Sequence, residues 1–101
     1  MTATHRDFLA SLAYLFLYHQ AFDKAAVLYA ALRILAPEDR TIVQALGYCW
    51  LRQGDPAKAL ALFEAFPEDV SPEDVTSRHL RAECLIVLGR PAEARVLWEA
   101  A

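Results

Sequence analysis

The residues of this 101-residue chain best equipped for chemistry are two cysteines and three histidines. A thiolate can act as nucleophile or metal ligand, and an imidazole as base or ligand. Their spacing assembles neither. His5, His19 and His79 are scattered, so no pair has the four-residue interval of a helical metal site. Cys49 sits between Tyr48 and Trp50 with no neighbouring cation to lower its pKa, and no Cys-x-x-Cys pair exists. The chain's three glycines form no phosphate-cradling loop. Acids cluster only at Pro67-Glu68-Asp69 and Ser71-Pro72-Glu73-Asp74, and helix starts routinely collect acids. We expect no catalytic residue, no metal and no cofactor. The cysteines read as two buried thiols, with a disulfide between equivalent helices as the alternative.

Composition narrows the partners. Ten Lys and Arg against thirteen Asp and Glu give a formal charge of -3, and no basic stripe appears, which argues against nucleic acid. The apolar fraction of 56% exceeds what one small domain readily hides, so part of the surface needs a cover. The apolar run from Phe8 to Tyr18 is compatible with a signal-peptide core, yet its fit to the pattern described below favours a mature helix. It is also much shorter than the roughly 20 residues a membrane span needs. We expect a single cytoplasmic domain over residues 1-101 with no membrane insertion.

Whatever the chain binds must be positioned by helices, because nothing in it reads as a strand. Leu46-Gly47-Tyr48-Cys49-Trp50, then Gly54-Asp55-Pro56, then Ala59 and Phe63, reads as helix, tight turn, helix, with small residues where two helices touch. Asp55 is the expected N-cap and Pro56 the first helical residue. The pattern resembles the tetratricopeptide repeat, whose period is about 34 residues, with slots filled here by Val43, Leu46, Gly47, Trp50, Ala59 and Phe63. Backwards by one period, Leu46, Gly47, Ala59 and Phe63 fall on Leu12, Ala13, Ala25 and Tyr29, and Pro37 closes the unit. Forwards, with one inserted residue, Gly47, Gly54, Ala59 and Phe63 fall on Ala82, Gly89, Ala94 and Trp98. Arg78 and Arg81 interrupt the apolar pattern of this last copy. The expected fold is all-α: three tetratricopeptide-like helix-turn-helix repeats, about 6-39, 40-74 and 75-101, forming a short right-handed solenoid with a truncated third repeat.

The helices follow in order. Thr4 or His5 precedes the first, Asp7 lies in its first turn, and it runs to about His19, where Gln20-Ala21 replaces the usual turn. The second starts at Phe22 and buries Ala25, Leu28, Tyr29, Leu32 and Leu35. Pro37-Glu38-Asp39 is expected as the first turn of the third helix. The fourth buries Ala57, Leu60, Ala61, Phe63 and Phe66 and breaks at Pro67. The fifth is capped by Ser71 and runs from Pro72 to Leu88, and the sixth runs from Pro91, packing Ala94, Leu97 and Trp98.

Stacked helix pairs create a concave surface lined by the first helix of each pair, which suits peptides or helices. Register places Tyr14, Leu17 and Tyr18 there in the first repeat. In the second it places Gln44, Tyr48, Leu51 and Arg52, and in the third His79, Leu80, Glu83, Ile86 and Val87. Where repeat proteins that hold acidic chaperone tails carry a Lys, Arg and Asn clamp, this chain has Asp7, Tyr14, Gln44 and Tyr48. A groove of tyrosine and aliphatic side chains fits an apolar or amphipathic helix instead. Internal packing is one alternative use of these residues; another is a structural self-association or general protein-protein interaction module, in which the same groove or the exposed end at Trp98 is buried in a homodimer.

The run from Phe22 to Glu38, with an early Ala and an apolar helix ending in Leu-Ala-Pro, resembles the first repeat of small bacterial type III secretion chaperones. Size and architecture look most like the SctY type, with the needle-subunit chaperone SctG similar. The resemblance implies a cytoplasmic chaperone or adaptor. Its partner would be a small secreted protein of the type III secretion system, SctX-like or a needle subunit, and it could also engage an export-gate component.

Overall fold

The computed structural model describes residues 3–66 and 75–99. Within them the chain forms six helices, α1 (Ala3–Tyr18), α2 (Phe22–Leu35), α3 (Arg40–Arg52), α4 (Pro56–Ala65), α5 (Val75–Val87) and α6 (Pro91–Glu99). Each packs on the next, and α3 additionally touches α5. The described residues contain no strand. This is an all-helical solenoid of stacked helix pairs, drawn out to 43 × 27 × 19 Å.

The turns inside the pairs carry the repeat most plainly. Gln20, Gly54 and Gly89 all have left-handed backbone, with φ of 62°, 86° and 78°. At each one the residue's amide bonds three residues back, to Leu17, Leu51 and Ile86, and the next amide bonds five back, to Phe16, Trp50 and Leu85. That double bond pattern satisfies the last carbonyls of a helix and reverses the chain within two residues. Thirty-four residues separate the first two turns and thirty-five the last two, so the single inserted residue expected from sequence is present.

Packing repeats at the same interval. Ala13, Gly47 and Ala82 are buried on α1, α3 and α5, and Ala25, Ala59 and Ala94 are buried on α2, α4 and α6. Small side chains here let paired helices approach closely. Lys24 lies over the Phe16 ring and Lys58 over the Trp50 ring, one contact repeated one period on. Glu93 and Leu85 fill those slots in the third pair, and Glu93 instead binds Arg90. Val43, Leu46 and Cys49 of α3 are among the largest fully buried side chains, together with Leu32 and Cys84. The centre of the core is therefore α3, flanked on both sides.

Several helix limits and faces differ from the expectation. The first helix already includes Ala3, so Asp7 lies beyond its first turn; Thr4-His5-Arg6 contains no Gly or Pro to stop it. Pro37 does not open α3. The Asp39 amide bonds the Ala36 carbonyl in a turn, and Asp39 then caps α3, accepting from the amides of Thr41 at 3.0 Å and Ile42 at 3.4 Å. A capping carboxylate satisfies two orphan amides, which a proline start would leave open. Asp55 caps α4 as expected, accepting from Lys58 at 3.1 Å, with Pro56 following. On α4 the buried side chains are Ala59, Leu60, Leu62 and Phe63, while Ala57 and Ala61 are exposed. Leu35 is exposed, and Ala26 of α2 is buried in its stead. The expected break at Pro67 and the Ser71-Pro72 start of the fifth helix lie outside the described residues.

Both cysteines are free and buried, which settles the thiol question against a disulfide. Burial pushes Cys49 and Cys84 up to about 11, so these are inert thiols. No group of His, Cys, Asp or Glu among the described residues could hold a metal ion. No helix of the described residues is long and apolar enough to cross a membrane.

Candidate functional site

The side chains that could receive a partner lie on α1, α3 and α5. The α3–α5 contact fixes their relation: Gln44 Nε2 donates to Ser77 Oγ at 2.8 Å, and Arg52 binds the Glu83 carboxylate at 3.1 Å. The two bonds tie together two helices that are not consecutive in the chain. The Arg52 guanidinium also lies 5.0 Å over the Tyr48 ring, and the edge of that ring meets Phe22 with centroids 5.9 Å apart. Phe22, Tyr48, Arg52 and Glu83 thus form one continuous cluster from α2 through α3 to α5.

The expected lining residues fall into three groups. Tyr14, Tyr18, Arg52, His79, Ile86 and Val87 are exposed, and Leu17, Gln44, Tyr48, Leu80 and Glu83 are half-buried. Leu51 is only 7% exposed, so it packs inside the core and offers no surface to a partner. It belongs to the buried core cluster together with Leu46 and Cys49 of the same helix. His79 is engaged already, its ring stacked on Trp98 with centroids 4.3 Å apart.

Two participants escaped the sequence reading: Ser77 and Phe22, which contact Gln44 and Tyr48. Trp98, expected to pack from the sixth helix, stacks on His79. Ser77 could have been suspected, because it lies thirty-three residues from Gln44, close to the repeat interval. Phe22 carries no such signal.

The surface offered is apolar and aromatic on α1 and at the end of α5, with one ion pair at its middle. Arg52 and Glu83 neutralise each other there, so the face carries no strong field for a charged tail. Such a face can take an apolar segment by burial of Tyr and aliphatic side chains.

The family model described as anaphase-promoting complex, cyclosome, subunit 3 matches residues 18–101. It is a tetratricopeptide-like repeat family, and such repeats are protein-interaction modules, typically without enzymatic activity. No curated protein matches the chain.

Proposed function

Since the chain belongs to the family described as anaphase-promoting complex, cyclosome, subunit 3, we propose that it binds an apolar helical segment of a protein partner across α1, α3 and α5. The observation that carries this reading is the exposure of Tyr14 and Tyr18 on α1 and of Ile86 and Val87 on α5, the two helices on either side of the α3 residues Tyr48 and Arg52 in the repeat order. Aromatic and aliphatic side chains left in water on a helical repeat are what an amphipathic helix buries with anchors at helical spacing. Both thiols are buried and pushed up to about 11, so neither supplies a thiolate at neutral pH.

A narrower form names the occupant: a small secreted protein of a type III secretion system, held in the cytoplasm by this chain as chaperone or adaptor. What supports it is the resemblance of Phe22 to Glu38 to the first repeat of those chaperones, together with a face suited to an aggregation-prone apolar helix.

Co-purification from the source cells followed by mass spectrometry tests both forms, with a Tyr18→Asp/Ile86→Asp variant beside the natural chain. Both positions are exposed, so helicity should survive the change. The expected result is a stoichiometric partner lost in the variant; if that partner is a secretion protein, the narrower form gains its support. A partner retained equally by the variant moves the binding site off this face.

A further inference from the structure

The two junctions between successive helix pairs are built differently. Between the second and third pairs α4 packs on α5, and α3 touches α5 as well, so these units meet along two lines. Between the first and second pairs α2 packs on α3, but α1 and α3 share no contact comparable to that of α3 with α5. Both junctions are internal to the stack, so the difference does not depend on what lies beyond either end.

Side chains at equivalent places supply the reason. The second junction is fastened by Arg52 on Glu83 at 3.1 Å and by Gln44 on Ser77 at 2.8 Å. One period back, the slots of Arg52 and Glu83 hold Tyr18 and Tyr48, and the slot of Gln44 holds Ala10. Two tyrosines make no ion pair, and an alanine side chain has no donor to offer. The two rings are turned to other neighbours: Tyr18 meets the edge of His19 with centroids 5.4 Å apart, and Tyr48 meets Phe22.

Bodies joined along a single line keep a rotation about that line, and a second line of contact off the first removes it. We infer that α1 and α2 swing as one hairpin about the α2–α3 junction, while α3 to α6 hold together as a fixed body. This is a hinge and shear motion of packed helices, with the Ala36–Asp39 turn as the connection. It changes the gap between Tyr14 and Tyr18 on α1 and Tyr48 on α3, so the candidate face has one movable wall and one fixed wall. The motion belongs to the chain alone. Its failure would leave the proposed partner binding untouched, and a partner found elsewhere on the surface would leave the swing untouched.

Distance distributions between paired spin labels on the full chain, measured by pulsed electron resonance, test this. His19, Gln53 and Leu88 are exposed and stand just past α1, α3 and α5 at equivalent places, so His19→Cys, Gln53→Cys and Leu88→Cys give the label sites. The native Cys49 and Cys84 are buried, and the natural chain put through the same labelling is the blank. The distribution should be broader between positions 19 and 53 than between 53 and 88. It should be sharp between 19 and an Ile34→Cys label on α2, because the hairpin moves as a body. Installing the missing tie as Tyr18→Arg with Tyr48→Glu should sharpen the first junction. Removing the existing ties as Gln44→Ala with Glu83→Gln should broaden the second, which keeps the test open should the tyrosine pair of changes cost helicity. Equal widths at the two junctions overturn the inference. A spread within the hairpin as wide as that between 19 and 53 overturns it too, since α1 would then move by itself, and so does a second junction that stays sharp without its two bonds.

Discussion

Gly47 of α3 and Phe63 of α4 approach so closely that a Cβ on Gly47 would stand 2.2 Å from the tip of the Phe63 ring and under 3.0 Å from two more ring atoms. This close approach explains the glycine on packing grounds, since Gly47 lies within α3 and has no left-handed backbone. Gly47→Ala gains helix propensity worth about 1 kcal/mol. It also forces a buried ring aside, at a cost of about 1–3 kcal/mol. We expect net destabilisation in urea unfolding, relieved in part by Phe63→Leu in the same chain. Strict additivity of the two changes would mean that the contact is not the cause.

Gln20 should be a weak point in the first turn. A side chain in left-handed backbone carries a penalty of about 1 kcal/mol that glycine avoids, and the equivalent turns have Gly54 and Gly89. Gln20→Gly should therefore stabilise the chain by up to about 1 kcal/mol, and Gly54→Ala and Gly89→Ala should each destabilise it by about as much. A Cβ at either glycine would meet nothing within 4 Å, so any loss there comes from backbone conformation alone. Thermal unfolding of the three variants gives the answer, and a neutral Gly54→Ala would count against it.

The two buried thiols set a direction for alkaline pH. An exposed thiol titrates near 9, and burial pushes Cys49 and Cys84 up to about 11. Between these values the folded chain holds protons that the unfolded chain has released, so stability falls as pH rises through that window and is fully retained below it. Burial also raises Tyr29, which adds to the same trend at its upper end. Urea unfolding at stepped pH values should show the decline, flattened in Cys49→Ala and Cys84→Ala. An unchanged slope in both variants would falsify this assignment.

The two bonds between α3 and α5 should matter more for alignment than for stability. The Arg52 and Glu83 side chains are 42% and 40% exposed, so water screens their pair and it is worth about 0–1 kcal/mol. A double-mutant cycle of Arg52→Met and Glu83→Gln should return a coupling in that range, whereas a coupling of several kcal/mol would show a desolvated pair. Removing Gln44 and Arg52 together should loosen the α3–α5 contact and weaken partner binding with little change in helicity.

The fold was legible in the sequence because its devices are local. Gly54-Asp55-Pro56 specifies turn, cap and first helical residue within three positions, and the buried Ala25, Ala59 and Ala94 recur at one interval. Asp39 could be named as an acid near a helix start. Its role as cap rather than first-turn residue depended on a hydrogen bond between Asp39 and Ala36 that residue types do not announce. The candidate face was less legible. Tyr14, Tyr18, Ile86 and Val87 are apolar or aromatic residues at the surface, but Leu51 is of the same kind and buried. Which apolar residue faces water depends on the direction of approach of the neighbouring helix.

The left-handed turns at Gln20, Gly54 and Gly89 make each helix pair a self-contained unit that touches only its neighbours. Cooperativity in such a chain is one-dimensional, a sum of unit stabilities and junction energies. The middle unit has a junction on both sides and the outer units one each. Amide exchange should therefore be slowest along α3 and α4 and quicken toward α1 and α6, so that the chain frays from its ends while its centre stays closed.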